Sequence, residues 1–318
     1  MGKKFTKVKE TIKHDMPKTR KGKILGVIFG VVTPISLGIV GGIVYSKFFM
    51  SKSADYTNIN ADDLVVDTTG IMDKYESLKE NNISYEEVLK PYEMVNVAYT
   101  LYEQEEHSRS FTIGSATASI VNQSIRGCSI RDEDNYFEES LSKSDMVGVA
   151  ARAYLNEDSS IDFYKGNVIT STTASYGDIH IPYTSETYTS DYGKTPKTSL
   201  IYIVNKKTVL PNTSVVTKEN DDYQISMSLH PTKAVINYVK QMKSISDLYE
   251  YPAFSKVDIS FTLDKDLMIK KMHVNESYYA RKTSVVGADT VGDVTVYYEV
   301  GGEYKIPNLN EQISYIEE

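Results

Sequence analysis

The sequence predicts an α+β protein: an N-terminal single transmembrane helix, then an extracytoplasmic domain built on a large curved antiparallel sheet with a few helices over one face. Three observations carry this. Residues 24–46 form 23 consecutive positions without a charge, enough to cross roughly 30 Å of hydrocarbon as a helix. From Ser110 onward most apolar residues alternate with polar ones, the period of strands that bury one face and wet the other. Two stretches, near residues 69–106 and 231–248, instead repeat apolar residues every three or four positions, as helices do.

The N-terminal element sets the topology. Residues 1–23 carry nine cations against Glu10 and Asp15, net +7, so with an overall charge of −8 the chain from Lys47 onward carries −15. Basic residues before an apolar span keep the N-terminus in the cytoplasm. The expected division is a cytoplasmic tail 1–23, a transmembrane helix 24–46, a polar linker 47–67 and an extracytoplasmic domain 68–318. That places the protein in the cell membrane as a single-pass chain with its C-terminal domain outside. A cleaved signal peptide is the competing reading. The run is long for one, and Phe48-Phe49-Met50 stands where small residues would be needed. Gly26, Gly30, Gly38 and Gly42 recur along the span, a spacing that lets two helix backbones approach closely. Its expected partners are the bilayer itself and a second membrane helix, from another copy or another protein. A domain of charge −15 repels phosphate backbones, so nucleic acid is not an expected partner.

In the outer domain, Thr69–Asn81 carries Ile71, Met72, Tyr75 and Leu78 at helical spacing. Ser84 and Glu87 have the spacing of a capping box, and Val95, Ala98, Tyr99 and Tyr102 continue a second helix. Pro91 either kinks it or starts a new one. Strands are expected at Ser110–Ile125, Asn135–Ser142, Val147–Leu155 and Asp162–Ile169, with turns at Asp132–Asp134 and Asn156–Asp158. Thr170–Lys197 reads as an irregular loop with short strand pieces. Further strands fall at Ser199–Asn205, Ser214–Lys218 and Tyr223–Leu229. A helix from Pro231 shows Ala234, Val235, Tyr238, Val239 and Met242 on one face. A meander then follows: Phe254–Leu263, Met268–Tyr279 and Asp289–Val300.

The layout from 231 to 309 resembles a known superfamily. The residues are Ala234 to Met242, Leu248 to Phe254, Val257 to Asp264, Leu267 to Tyr278, and Ile306-Pro307-Asn308-Leu309: helix, strand, acidic turn, strand, then Ile-Pro near the end. This is similar to the half-barrel lipoprotein carriers of the LolA, LolB and LppX type. The resemblance implies a curved sheet that wraps its helices and leaves an apolar cavity. Val257, Ile259, Phe261, Val294, Val296 and Tyr298 would then line it. The chain departs from the family in having a membrane span and no lipobox cysteine.

Residues that carry chemistry are sparse. Cys128 is the one cysteine, and no histidine stands in a motif with it. Asp132, Glu133 and Asp134 with Glu138 and Glu139, and Asp221 with Asp222, fall where turns favour acidic residues. They do not have the spacing of a calcium loop. No phosphate loop, dinucleotide fingerprint, nucleophile elbow or zinc motif is present. No metal, cofactor or enzymatic reaction is therefore expected. Tyrosine is abundant, 25 residues against no Trp, which suits either wet strands or a contact surface. The expected function is a membrane-anchored binding protein of the cell envelope that holds a lipid or other apolar ligand. The alternative is a non-catalytic subunit of a membrane complex.

Overall fold

The structure, a computed structural model, describes residues 54–315 except 119–120, 145–147, 193, 195–196, 198–199, 247 and 282–286. The basic tail, the expected span and its four glycines lie outside the described residues. Among those described, no helix is long and apolar enough to cross a membrane.

A single 11-stranded antiparallel sheet organises the chain. Its strands are β1 (His107–Ala118), β2 (Val121–Asp132), β3 (Asn135–Lys143), β4 (Gly148–Leu155), β5 (Ser160–Val168), β6 (Ala174–Thr184), β7 (Val215–Glu219), β8 (Asp222–Ser228), β9 (Ala253–Leu263), β10 (Ile269–Arg281) and β11 (Gly287–Val300). The spatial order is β6-β5-β4-β3-β2-β1-β11-β10-β9-β8-β7. Two meanders, β1–β6 and β7–β11, are thus joined by the pairing of the first strand with the last, Ser108 opposite Val300 through Ala118 opposite Thr290.

One face is covered by helices α1 (Thr68–Glu80), α2 (Tyr85–Val88), α3 (Pro91–Gln104), α4 (Ser185–Tyr192) and α5 (Ile236–Ser246). Asp67 caps α1 by accepting from the Gly70 amide at 3.4 Å, which satisfies one of the free donors of its first turn. Pro91 opens α3 rather than kinking a longer helix, and the Glu93 carboxylate accepts from the Lys90 amide at 2.6 Å. Ser84 makes no cap. The far end of α3 is held from the sheet: the Arg131 guanidinium of β2 donates to the carbonyls of Tyr102, Glu103 and Glu105, where a cation complements the helix dipole. Met94, Val95, Val97 and Ala98 of α3 are fully buried. They share the main core with Tyr238, Val239 and Met242 of α5 and the inward residues of β8–β11. Each such side chain stabilises by roughly 1.5–3 kcal/mol through burial. Beneath α4 a second cluster holds Ala151, Ala153, Ile161, Phe163, Tyr188 and Tyr192.

The opposite face differs between the two meanders. On β9–β11 it is wet, with Asp258, Ser260, Lys271, His273 and Asn275 at least partly exposed. On β1–β6 it is crossed by residues 301–315, which have no regular structure. Tyr304, Ile306, Ile313 and Tyr315 pack on Phe111, Cys128, Ile130 and Phe137, and Leu309 packs on Leu141, Ala150 and Tyr176.

Several expected elements are corrected. Residues 110–125 are not one strand but parts of two, β1 and β2. The stretch 170–197, expected as an irregular loop with short strand pieces, contains β6 and α4, because Ile181 and Tyr183 find partners in β5 and α4. The expected strand at 199–205 is absent over the described residues 200–205. Ile201, Tyr202 and Val204 are buried in the core without sheet pairing.

Candidate functional site

Val257, Ile259 and Phe261 of β9 and Val294, Val296 and Tyr298 of β11 do share the helix-covered face. All six are buried, the most exposed being Tyr298 at 7%. The space in front of them is filled. Tyr99 of α3 packs edge-on against Phe261 and Tyr298, and its hydroxyl lies 2.9 Å from that of Tyr298. This end of the face is therefore structural packing.

Further along the same face, bulk disappears. A cross-strand row runs Thr112, Gly127, Ser140, Ala151 and Lys165 on β1 to β5. A side chain at Gly127 would press on Thr112 Cβ at 3.1 Å. Thr112 and Ser140 are 8% and 7% exposed, and their hydroxyls make no hydrogen bond to another described residue. The row lies between the aromatic packing of Tyr99, Tyr102 and Tyr298 on one side and that of Phe163, Tyr188 and Tyr192 on the other. Lys165 closes it with a half-buried ammonium that has no anion beside it among the described residues, and burial lowers its pKa to about 8. The sequence held a signal for Lys165: it follows Ile161 and Phe163 at strand period.

Buried charge is paired on both faces of β3. Glu138 and Glu139, adjacent in sequence, point to opposite sides of the sheet. Glu138 accepts from Lys194, from the Tyr136 hydroxyl at 3.0 Å and from the Tyr188 hydroxyl at 3.4 Å. Glu139 accepts from Arg152 Nε at 2.5 Å, from the Tyr176 hydroxyl at 2.8 Å and from the Tyr315 hydroxyl at 2.5 Å. The same Arg152 donates to the carbonyls of Asn308, Leu309 and Glu311, so one buried guanidinium ties the C-terminal segment to the sheet.

Glu276 of β10 lies in the main core, 1% exposed. It sits over Gly292, where a Cβ would meet its Cγ at 3.0 Å. The hydroxyls of Tyr202 and Tyr238 donate to it at 2.6 and 3.1 Å, and no cation among the described residues pairs with it. Burial raises its pKa to about 7 against the pull of the two tyrosines. Tyr278 and Thr290, opposite each other across β10 and β11, carry buried hydroxyls without a partner. Glu276 too was marked in the sequence, between Val274 and Tyr278 on the core-facing positions.

Cys128 is 4% exposed under Tyr315 and Ile313. Burial, with Glu139 nearby, pushes its thiol well above the usual range, the reverse of what an attacking thiolate needs. His107, His180 and His273 contact Asp132, Asp162 and Asp293 at 2.9, 2.7 and 3.1 Å across neighbouring strands. Among the described residues no group of His, Cys, Asp and Glu has metal-holding geometry.

No family model and no curated protein matches the sequence. Among solved structures, the chain is similar to LprF from Mycobacterium bovis at 10% identity, covering 69% of this chain and 97% of that one, with a TM-score of 0.36. It is also similar to a DUF1329 family protein from Desulfovibrio piger at 12% identity, covering 67% and 93%, with a TM-score of 0.24.

Proposed function

We propose that this chain is a membrane-anchored, extracytoplasmic binding protein of the cell envelope that takes an apolar, lipid-like ligand between its sheet and its helices. The observation that supports this reading is the small-residue row from Thr112 to Lys165. Small side chains between two aromatic clusters suit an acyl or prenyl chain. The two unpartnered hydroxyls and the unpaired Lys165 ammonium suit a polar, anionic end. In this reading the ligand lies against β1–β5 rather than against the β9 and β11 residues that the resemblance implied. The uncharged run 24–46 and its basic flank support the anchor and the outward orientation.

The test is native mass spectrometry of the full chain released from detergent, with lipid extraction of the same sample. An apolar molecule should copurify at fixed stoichiometry with the wild type and be depleted in Lys165→Glu and Ser140→Trp. A ligand-free mass for the wild type, or equal occupancy in all three proteins, rejects the reading.

A further inference from the structure

The sheet face opposite the helices carries an open groove of about 760 Å³, beside the C-terminal segment and across β11, β1, β2 and β3. Its floor is one cross-strand row: Asp293 opposite Ser115, Ser115 opposite Ser124, Ser124 opposite Lys143. At strand spacing of about 4.8 Å the row measures roughly 14 Å end to end. Arg126 stands diagonal to Lys143 on the neighbouring strand, and Thr170 adds a hydroxyl at the rim.

The charges are asymmetric. Lys143 Nζ donates to the Ile169 carbonyl at 2.7 Å and Arg126 Nη1 to the Ile125 carbonyl at 2.9 Å. Backbone carbonyls therefore hold both cations in place, while among the described residues neither has a carboxylate partner and most of their N–H donors stay unused. In a segment of charge −15 from Lys47 onward, two cations lining one groove with no carboxylate partner among the described residues form a local site for an anion. A guanidinium next to an ammonium matches the oxygens of a phosphate. At the other end Asp293 is held by His273 at 3.1 Å and Asn275 at 3.4 Å. A carboxylate there repels a second anion and accepts from hydroxyls. Between the two ends the Ser124 hydroxyl donates to the Lys143 carbonyl at 3.1 Å and keeps its lone pairs to accept, while the Ser115 hydroxyl can donate or accept.

We propose that this groove binds a sugar phosphate, with the phosphate at Arg126 and Lys143 and the sugar hydroxyls along Ser124, Ser115 and Asp293. The site lies on the other side of the sheet from the row proposed for the apolar ligand and is independent of it. A groove of this size holds one or two sugar residues. The phosphate can belong to a free sugar or to a lipid-linked one, the recognition chemistry being shared.

The test uses the full chain in a sugar-free neutral detergent at low salt, where exposed charges are least screened. Glucose 6-phosphate, inorganic phosphate and glucose are each titrated and followed by phosphorus or proton line broadening. Glucose 6-phosphate should bind saturably and more tightly than either of its parts. Arg126→Gln and Lys143→Gln should each weaken it about tenfold, since each removes a charge-assisted hydrogen bond. Asp293→Asn should do the opposite for inorganic phosphate, strengthening it several-fold and narrowing the preference for the sugar phosphate. That gain of binding needs an intact fold and so separates recognition from unfolding. Competition by phosphatidylinositol in mixed micelles at equal or lower concentration would assign the lipid-linked source, and its absence the free one. Equal affinity for glucose 6-phosphate in wild type and the double variant, or inorganic phosphate binding as tightly as glucose 6-phosphate, overturns the proposal.

Discussion

Glu276 makes the stability of the domain depend on pH in a direction opposite to that of most carboxylates. Its side chain is enclosed by Tyr202, Tyr238 of α5 and Tyr278 of β10, over Gly292 of β11, with no cation to offset desolvation of the charged form. Its pKa rises from 4.5 to about 7 on folding. Between those values the folded chain holds a proton that the unfolded chain has lost, so stability falls as pH rises through the window. A shift of about 2.5 units at 1.36 kcal/mol each gives about 3 kcal/mol, fully present below pH 4.5 and lost above pH 7. For a domain of this size that is on the order of 10 °C in Tm. The assay is urea unfolding followed by far-ultraviolet circular dichroism between pH 4.5 and 8, for wild type and Glu276→Gln. Other groups titrate in both proteins, so the quantity that matters is the difference between the two curves. It should change by about 3 kcal/mol across the window, the Gln protein gaining relative to wild type as pH rises. Parallel curves would refute the reasoning, because they would mean that the carboxylate is solvated or paired in the folded state.

Three further outcomes follow from the packing. Arg152→Ala leaves Glu139 buried without its cation, which costs about 3–5 kcal/mol, and frees residues 308–311. The Cys128 thiol should then react with a maleimide on the order of a hundredfold faster than in wild type, in step with the opening of the segment; an unchanged rate would show that the segment does not shield it. Phe261→Ala removes a side chain packed against Tyr99 in a filled core and should lower urea stability by about 3–5 kcal/mol, whereas loss below 1 kcal/mol would indicate an unfilled space there. Gly38→Leu with Gly42→Leu should abolish crosslinking of the full chain to itself or to a membrane partner, if the ordered glycines form a helix–helix contact. Unaltered crosslinks would count against the complex-subunit alternative.

The β9–β11 meander was legible in the sequence because its strands bury one face, so Val257, Ile259 and Phe261 alternate strictly with Asp258, Ser260 and Thr262. β3 was harder. Seven consecutive residues, Tyr136–Ser142, are buried, with Tyr188 of α4 and Lys194 on one face and the C-terminal segment on the other. A strand covered on both sides loses its alternation. Glu138, Glu139 and Arg152 then read as surface charges, since their partners Lys194, Tyr315 and Asn308 stand far away in sequence. The break between β1 and β2 carries none of the Gly, Asn or Pro residues that announce a turn, so two strands read as one. Lys165 and Glu276 were missed, although strand period puts both on inward positions, a conflict between residue type and register that marks them as exceptional.

The pairing of β1 with β11 has a consequence for how the domain assembles. Each meander can zip up hairpin by hairpin, but their junction joins Ser108 to Val300, a loop of about 190 residues. Closing it costs about 3 kcal/mol more than closing a four-residue turn, a topology that slows folding. Until that seam closes, β1 presents an open edge beside β2, and residues 301–315, which follow directly on β11, have no place to lie. The segment that Arg152 fastens is thus the last to settle, and its docking reports that the two halves have met. The interval before docking is when this chain is exposed to pairing with the wrong strand.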